Sequence, residues 1–217
     1  MDSSGYHRIT RIRFLTASTF VLTFERRNLE FRAGQRIIAG TGTDIDQREY
    51  SIYSGENDDF LEILVKKIDE GSVSVKLSQC KPGDLLQVNG PFGVFGIDAG
   101  ERLTGKHVFI ATGTGISPFH GIVRSYPGID YLIIHGVSYA SEAYERSAYE
   151  AARYILCTSK EISDERQGRV TKFLPEYRTP PGASFYLCGN GNMIYEVWHI
   201  LREKGIPAER IFSEIYF

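Results

Sequence analysis
At 217 residues with 42% hydrophobic content, the chain has room for one large domain or two ordinary ones with real cores. Its formal net charge is −2, and neither half carries the basic excess expected of a nucleic-acid binder. Three widely spaced cysteines, Cys80, Cys157 and Cys188, exclude a disulfide framework and any cysteine-rich zinc or iron–sulfur cage.

The chain begins MDSSGYHR, without an apolar leader, and no run approaches the ~18 apolar residues of a membrane span. A cytoplasmic protein with no metal site and no stable membrane association is expected. Up to residue 100 the patterning has period two. Phe20, Leu22 and Phe24 alternate with Val21 and Thr23, and Leu61, Ile63 and Val65 line one face of FLEILVKK. Turn-rich pieces (EFRAGQ, SGENDD, CKPGD) separate these runs, which predicts an antiparallel barrel or sandwich over residues 1–100, here taken as a Greek-key β-barrel. One short helix is predicted within it, at SVSVKLSQC.

Within the barrel, QREYSIYS sets a guanidinium, a phenol and a hydroxyl close together. Ideal alternation places Arg48 and Tyr50 on one face of the strand and Ser51 on the other. Ser51 therefore joins them only where the strand ends or bends. Further on, Phe92 and Phe95 of NGPFGVF are expected in core packing.

Beyond the DAGERLTG loop, residues 98–105, the rhythm becomes strand–turn–helix. HVFIATG precedes the helical SPFHGIVRSY, YLIIHGV precedes the helical SEAYERSAYEAARY, and SFYLCGN precedes NMIYEVWHILREKG. In the last of these Met193, Val197, Ile200 and Leu201 fall on one helical face. This predicts a second, α/β domain over residues 101–217, a Rossmann-like parallel sheet covered by helices. IATGTGISPF places Thr112, Gly113, Thr114 and Gly115 at a strand end with Pro118 opening a helix. Glycines there admit a pyrophosphate, and a helix N-terminus offers free N–H groups. LCGNGNM repeats the arrangement with Gly189 and Asn190, so two glycine turns at strand ends suggest one shared ligand crevice. The third glycine of the usual dinucleotide fingerprint is absent.

Taken together, REYS, GSVS, GPFG, GTGISPF, LCGNGNM and the ending SEIYF resemble ferredoxin–NADP+ reductases in order and spacing, across nearly the whole chain. The ending resembles the compact bacterial branch. The resemblance implies a flavin-binding barrel followed by an NADP-binding domain, with FAD and NADP(H) as cofactors. It implies that Arg48 pairs with the flavin pyrophosphate, Tyr50 stacks on the isoalloxazine and Ser51 stands near its N5, with Ile52 alongside. Gly71, Val73 and Ser74 would meet the flavin phosphates from a helix start, and Lys66 would reach the ribityl or phosphate region. Cys188 and Glu214 would flank the nicotinamide, Cys188 as a positional and electrostatic group, not a nucleophile. Tyr216 would cover the flavin face opposite Tyr50, and Phe217 would pad the adenine.

For the coenzyme's 2′-phosphate the same resemblance points to Ser159, Lys160 and Arg169. Lys160 stands where relatives that prefer NADP carry arginine, and Ser138 replaces a further arginine. A point charge in place of a planar fork implies NADP over NAD with weakened discrimination. The expected activity is hydride transfer between NADPH and FAD, followed by single-electron exchange with a separate ferredoxin or flavodoxin, by a monomer or weak dimer. A carrier of that acidic type calls for a positive surface, but Lys66, Lys67, Lys76 and Lys81 are interleaved with Asp69, Glu70 and Asp84. The alternatives are a reductase of free flavin and a non-catalytic flavin relay subunit.

Overall fold
Alternating apolar residues need a covered face, and here the strands supply it to one another. The structure, a computed structural model, describes residues 5–42, 46–68, 72–161 and 166–216. Strands β1 (Gly5–Phe14), β2 (Thr19–Glu25), β3 (Arg36–Thr41), β4 (Arg48–Ser51), β5 (Phe60–Lys66) and β6 (Leu85–Phe92) form an antiparallel sheet of order β4-β3-β6-β1-β2-β5. Ile52, the residue just past β4, bridges Ile63 of β5, so the sheet curls toward a barrel. Phe20, Leu22 and Phe24 lie opposite Val65, Ile63 and Leu61, and all six are fully buried in one core. Each such side chain contributes about 1.5–3 kcal/mol through burial. Helix α1 (Ser72–Gln79) sends Val73 and Leu77, one turn apart, into the same core.

The chain divides into two compact units. The first holds the described residues through Gly96 together with Ser117–Pro127, and the second holds Ile97–Ile116 and everything from Gly128. Helix α2 (Ser117–Ser125) thus belongs with the barrel. Gly121 makes that approach possible, since a Cβ there would lie 2.8 Å from the Ile52 carbonyl oxygen. Ser125 Oγ donates to the Gly121 carbonyl at 2.6 Å and accepts from the Glu56 N–H at 2.9 Å. Arg124 pairs with Asp58 at 2.7 Å and with Glu62 at 3.6 Å. His120 stacks on Tyr53 with ring centroids 3.9 Å apart. The segment that follows REYS is therefore clamped by a helix distant in sequence. Phe92 departs from its expected core position: it closes β6 with 43% of its surface exposed, whereas Phe95 packs on Phe119. At the last residue of that strand, cross-strand partner Arg36 stands in place of an apolar neighbour.

In the second unit, β7 (Lys106–Thr112), β8 (Asp130–Val137), β9 (Tyr154–Thr158), β10 (Arg166–Gln167), β11 (Ser184–Asn190) and β12 (Ile211–Tyr216) form a parallel sheet of order β10-β9-β8-β7-β11-β12. The central strands β7 and β11 are buried almost end to end, as parallel strands covered on both faces must be. Helix α4 (Gly191–Glu203) packs Met193, Val197 and Leu201 inward, with Ile200 at the margin. A short helix α3 (Val170–Phe173) follows β10. The predicted helix over SEAYERSAYEAARY is absent. Three single 3-10 turns stand there, at residues 140–142, 146–148 and 151–153. Tyr144 and Tyr149 are both buried, and five residues of α-helix would turn them to different faces. Glu145, at φ +47°, breaks the helical path between them. Among the described residues, no helix is long and apolar enough to cross a membrane.

Candidate functional site
Two groups of side chains, one in each unit, contain the residues singled out from the sequence. In the barrel, β4 ends at Ser51, which is the condition under which that hydroxyl can join its neighbours. Arg48 is exposed, Tyr50 half-buried and Ser51 buried. Burial pushes the Tyr50 hydroxyl pKa up to about 12, against a smaller opposite pull from Arg48, so the ring stays a neutral phenol beside a cation. Ile52 follows at once; its N–H donates to the Gln35 carbonyl at 2.9 Å. Lys66 closes β5 with its side chain exposed. At the start of α1, Val73 and Ser74 are buried, and Ser74 Oγ accepts the Ile68 N–H at 3.1 Å, leaving its own O–H to donate elsewhere. The first turn of α1 carries no acidic residue to compete for its N–H groups. Gly71 and Phe217 lie outside the described residues. The donor set is therefore a guanidinium, hydroxyls and a helix start beside a flat phenol, which suits a phosphorylated aromatic group such as a flavin nucleotide.

The second unit reverses its strand order between β7 and β11, the switch point where open α/β sheets hold their ligands. Both glycine turns sit there. A 3-10 turn, Gly113–Ile116, leads from β7 into α2, with Thr114 half-buried within it. A Cβ on Gly115 would lie 2.4 Å from the Cys188 carbonyl oxygen, and one on Gly189 would lie 2.5 Å from Thr112 Oγ1. Neither turn tolerates a side chain facing the other. Asn190 N–H donates to Thr112 Oγ1 at 3.1 Å, while the Asn190 side chain caps α4 by accepting from Asn192 N–H and Met193 N–H. The backbone is thus bare where a pyrophosphate would need close approach.

Cys188 is fully buried in β11 and in register with Glu214 of β12, with Tyr216 beside Asn190 two residues on. Burial, then the nearby Glu214 carboxylate, raises the Cys188 thiol well above its ordinary range; hydrogen bonds from Tyr216 and the Gly189 backbone offset this only in part. At neutral pH the group is therefore held as a permanent thiol. At the far side of the sheet, Ser159 and Lys160 follow β9, and Arg169 follows β10, which pairs with β9. Gly168 N–H donates to the Thr158 carbonyl at 2.7 Å, so the two loops are joined and all three side chains are exposed beyond the same strand ends.

The sequence reading passed over His135 and Tyr154. His135 is fully buried near the end of β8, with Nε2 2.8 Å from the Gly113 carbonyl oxygen and Nδ1 2.6 Å from the Tyr154 hydroxyl. A carbonyl only accepts, so Nε2 carries the proton, and Nδ1 accepts from the Tyr154 O–H. Burial lowers the His135 pKa to about 4. The available signal was a lone polar residue in the otherwise apolar run YLIIHGV. Among the described residues, no cluster of His, Cys, Asp and Glu could hold a metal ion.

Residues 10–97 match the oxidoreductase FAD-binding domain family. The chain is 28% identical to ferredoxin–NADP reductase B of Sorangium cellulosum, over 96% of both chains. It is 28% identical to the ferredoxin–NADP reductase of Azotobacter vinelandii, over 99% of this chain and 95% of that one. A crystal structure of a ferredoxin NADP+ reductase from Neisseria gonorrhoeae with bound FAD and NADP superposes with a TM-score of 0.86 at 23% identity, covering 100% of both chains.

Proposed function
We propose that the chain is a member of the ferredoxin–NADP reductase family, an FAD-dependent NAD(P)H oxidoreductase that carries electrons between NADPH and a separate ferredoxin or flavodoxin. The observation that carries the proposal is the pair of interlocked glycine turns, Gly115 against Cys188 and Gly189 against Thr112, at the switch point of the parallel sheet. No side chain fits between them, and the N–H groups of the first turn are those a dinucleotide pyrophosphate needs.

Bound FAD supplies the conversion between two-electron exchange with the nicotinamide and one-electron exchange with the carrier. The chain's own residues bind and orient. Arg48 offers a planar, permanently charged fork to the flavin pyrophosphate, supported by the first turn of α1 with Val73 and the Ser74 hydroxyl and by Lys66. Tyr50 presents a neutral ring for stacking, and Ser51 a buried hydroxyl at a strand end. Thr112 to Gly115, Gly189 and Asn190 take the coenzyme's pyrophosphate, and Ser159, Lys160 and Arg169 take its 2′-phosphate. Cys188 holds space beside the nicotinamide as an uncharged thiol. Glu214 would orient the carboxamide or move a proton, and Tyr216 would offer its ring to the flavin.

Rapid mixing of the purified protein with NADPH and with NADH, followed at flavin wavelengths, tests this reading. Fast bleaching by NADPH, followed by recovery when oxidised ferredoxin or flavodoxin is added, is expected. A protein that stays colourless when soaked with FAD would overturn it.

A further inference from the structure
We infer that His135 is a positioning residue for coenzyme binding: with Tyr154 it pins the Gly113 carbonyl beneath the first glycine turn and so holds that turn in one conformation. The inference rests on the reading that this turn takes the coenzyme's pyrophosphate.

At Gly113 itself the turn is open on one side. Gly113 sits at φ +53°, and a Cβ there would meet nothing within 4 Å, so no packing fixes the residue from above. From below, the His135 imidazole donates through Nε2 to the Gly113 carbonyl at 2.8 Å. The other ring nitrogen accepts from the Tyr154 hydroxyl at 2.6 Å, which settles both the tautomer and the tilt of the ring. Tyr154 is itself immobilised. Its ring stacks on Tyr149 with centroids 5.3 Å apart, and the Arg146 guanidinium lies over it at 5.6 Å. Tyr144 flanks the imidazole at 6.1 Å. A chain of aromatic contacts thus ends on one backbone oxygen of the nucleotide turn. Beside it, the Asn190 N–H to Thr112 Oγ1 bond ties the second glycine turn to the residue just before Gly113.

In an interior of low dielectric, a carbonyl that loses its donor is free to rotate its peptide plane, and the N–H of the following residue rotates with it. Both coenzymes share the pyrophosphate, so binding of NADPH and NADH should suffer alike. This separates His135 from any residue that recognises the 2′-phosphate.

The test uses the holoenzyme with His135→Leu, His135→Gln and Tyr154→Phe. For His135→Leu the KM for NADPH and for NADH should each rise about ten-fold, with kcat within about two-fold and the flavin spectrum unchanged. His135→Gln, which keeps one donor and one acceptor, should restore most of the affinity. Tyr154→Phe removes a single hydroxyl and should raise both KM values about three-fold; it decides the matter if His135→Leu does not fold. Wild-type KM values in His135→Leu or in Tyr154→Phe would overturn the inference, as would a rise confined to NADPH or one that His135→Gln does not reverse. A wild-type holoenzyme that binds neither coenzyme would overturn both this inference and the reading beneath it.

Discussion

Gly113 and Gly115 stand two residues apart in the same turn, yet they are glycine for different reasons, and alanine at each should cost differently. At Gly115 the added Cβ would lie 2.4 Å from the Cys188 oxygen, 2.6 Å from its carbonyl carbon and 2.7 Å from Gly189 Cα. All three neighbours are backbone, fixed by the β7–β11 and β11–β12 ladders. To reach ordinary contact the two turns must part by about 1 Å, and overpacking of this kind costs about 3 kcal/mol where neighbours cannot give. Gly113→Ala meets no neighbour and pays only for its left-handed backbone, about 1.5 kcal/mol. In a protein of this size these figures correspond to Tm losses of roughly 9 °C and roughly 4 °C. Thermal unfolding followed by circular dichroism measures both, and Asn at position 113 should recover about half of the smaller loss. Gly115→Ala should also weaken coenzyme binding, because parting the turns opens the crevice. Equal losses in the two alanine variants, or an unchanged Gly115→Ala, would refute the steric reasoning.

Lys160→Ala should raise the KM for NADPH about ten-fold while leaving that for NADH nearly unchanged, as judged by steady-state kinetics; equal effects would remove its phosphate role. Because burial lowers the His135 pKa from 6.5 to about 4, the unfolded chain binds a proton between those pH values that the folded chain refuses. Stability should therefore fall by about 3 kcal/mol as pH drops from 6.5 to 4, and urea titrations should show this slope lost in His135→Gln. At pH 8 the buried, protonated Cys188 should resist iodoacetamide in the native protein while half-buried Cys80 reacts slowly. Mass spectrometry of labelled peptides checks this, and native labelling of Cys188 would contradict its assignment as a permanent thiol.

Much of the fold is legible because strands and turns announce themselves locally. The alternation of Phe20, Leu22 and Phe24 has one meaning only if a core lies on that side, and their partners Leu61, Ile63 and Val65 carry the same period. Glycines at two strand ends likewise mark the switch point of the parallel sheet from local chemistry alone. What stayed hidden depends on distant neighbours. His135 finds its partners 19 and 22 residues away, so nothing beside it in sequence marks it as more than a core histidine. The helical spacing of SEAYERSAYEAARY is real as a pattern, but burial of both Tyr144 and Tyr149 outweighs it. That α2 packs on the barrel is likewise invisible locally, since the deciding contact is Gly121 against a carbonyl at Ile52.

This last arrangement has a bearing on any attempt to separate the halves. The backbone passes from one unit to the other after Gly96, after Ile116 and again after Pro127. A gene cut at the apparent seam near residue 100 would yield a barrel stripped of its clasp, with the Ile52 and Ser54 carbonyls uncovered. Its companion fragment would carry an orphan helix whose ionic and ring partners had been left behind. Recombination or limited proteolysis at that seam is therefore expected to yield two unstable fragments, and a stable excised barrel calls for α2 to be grafted back onto it.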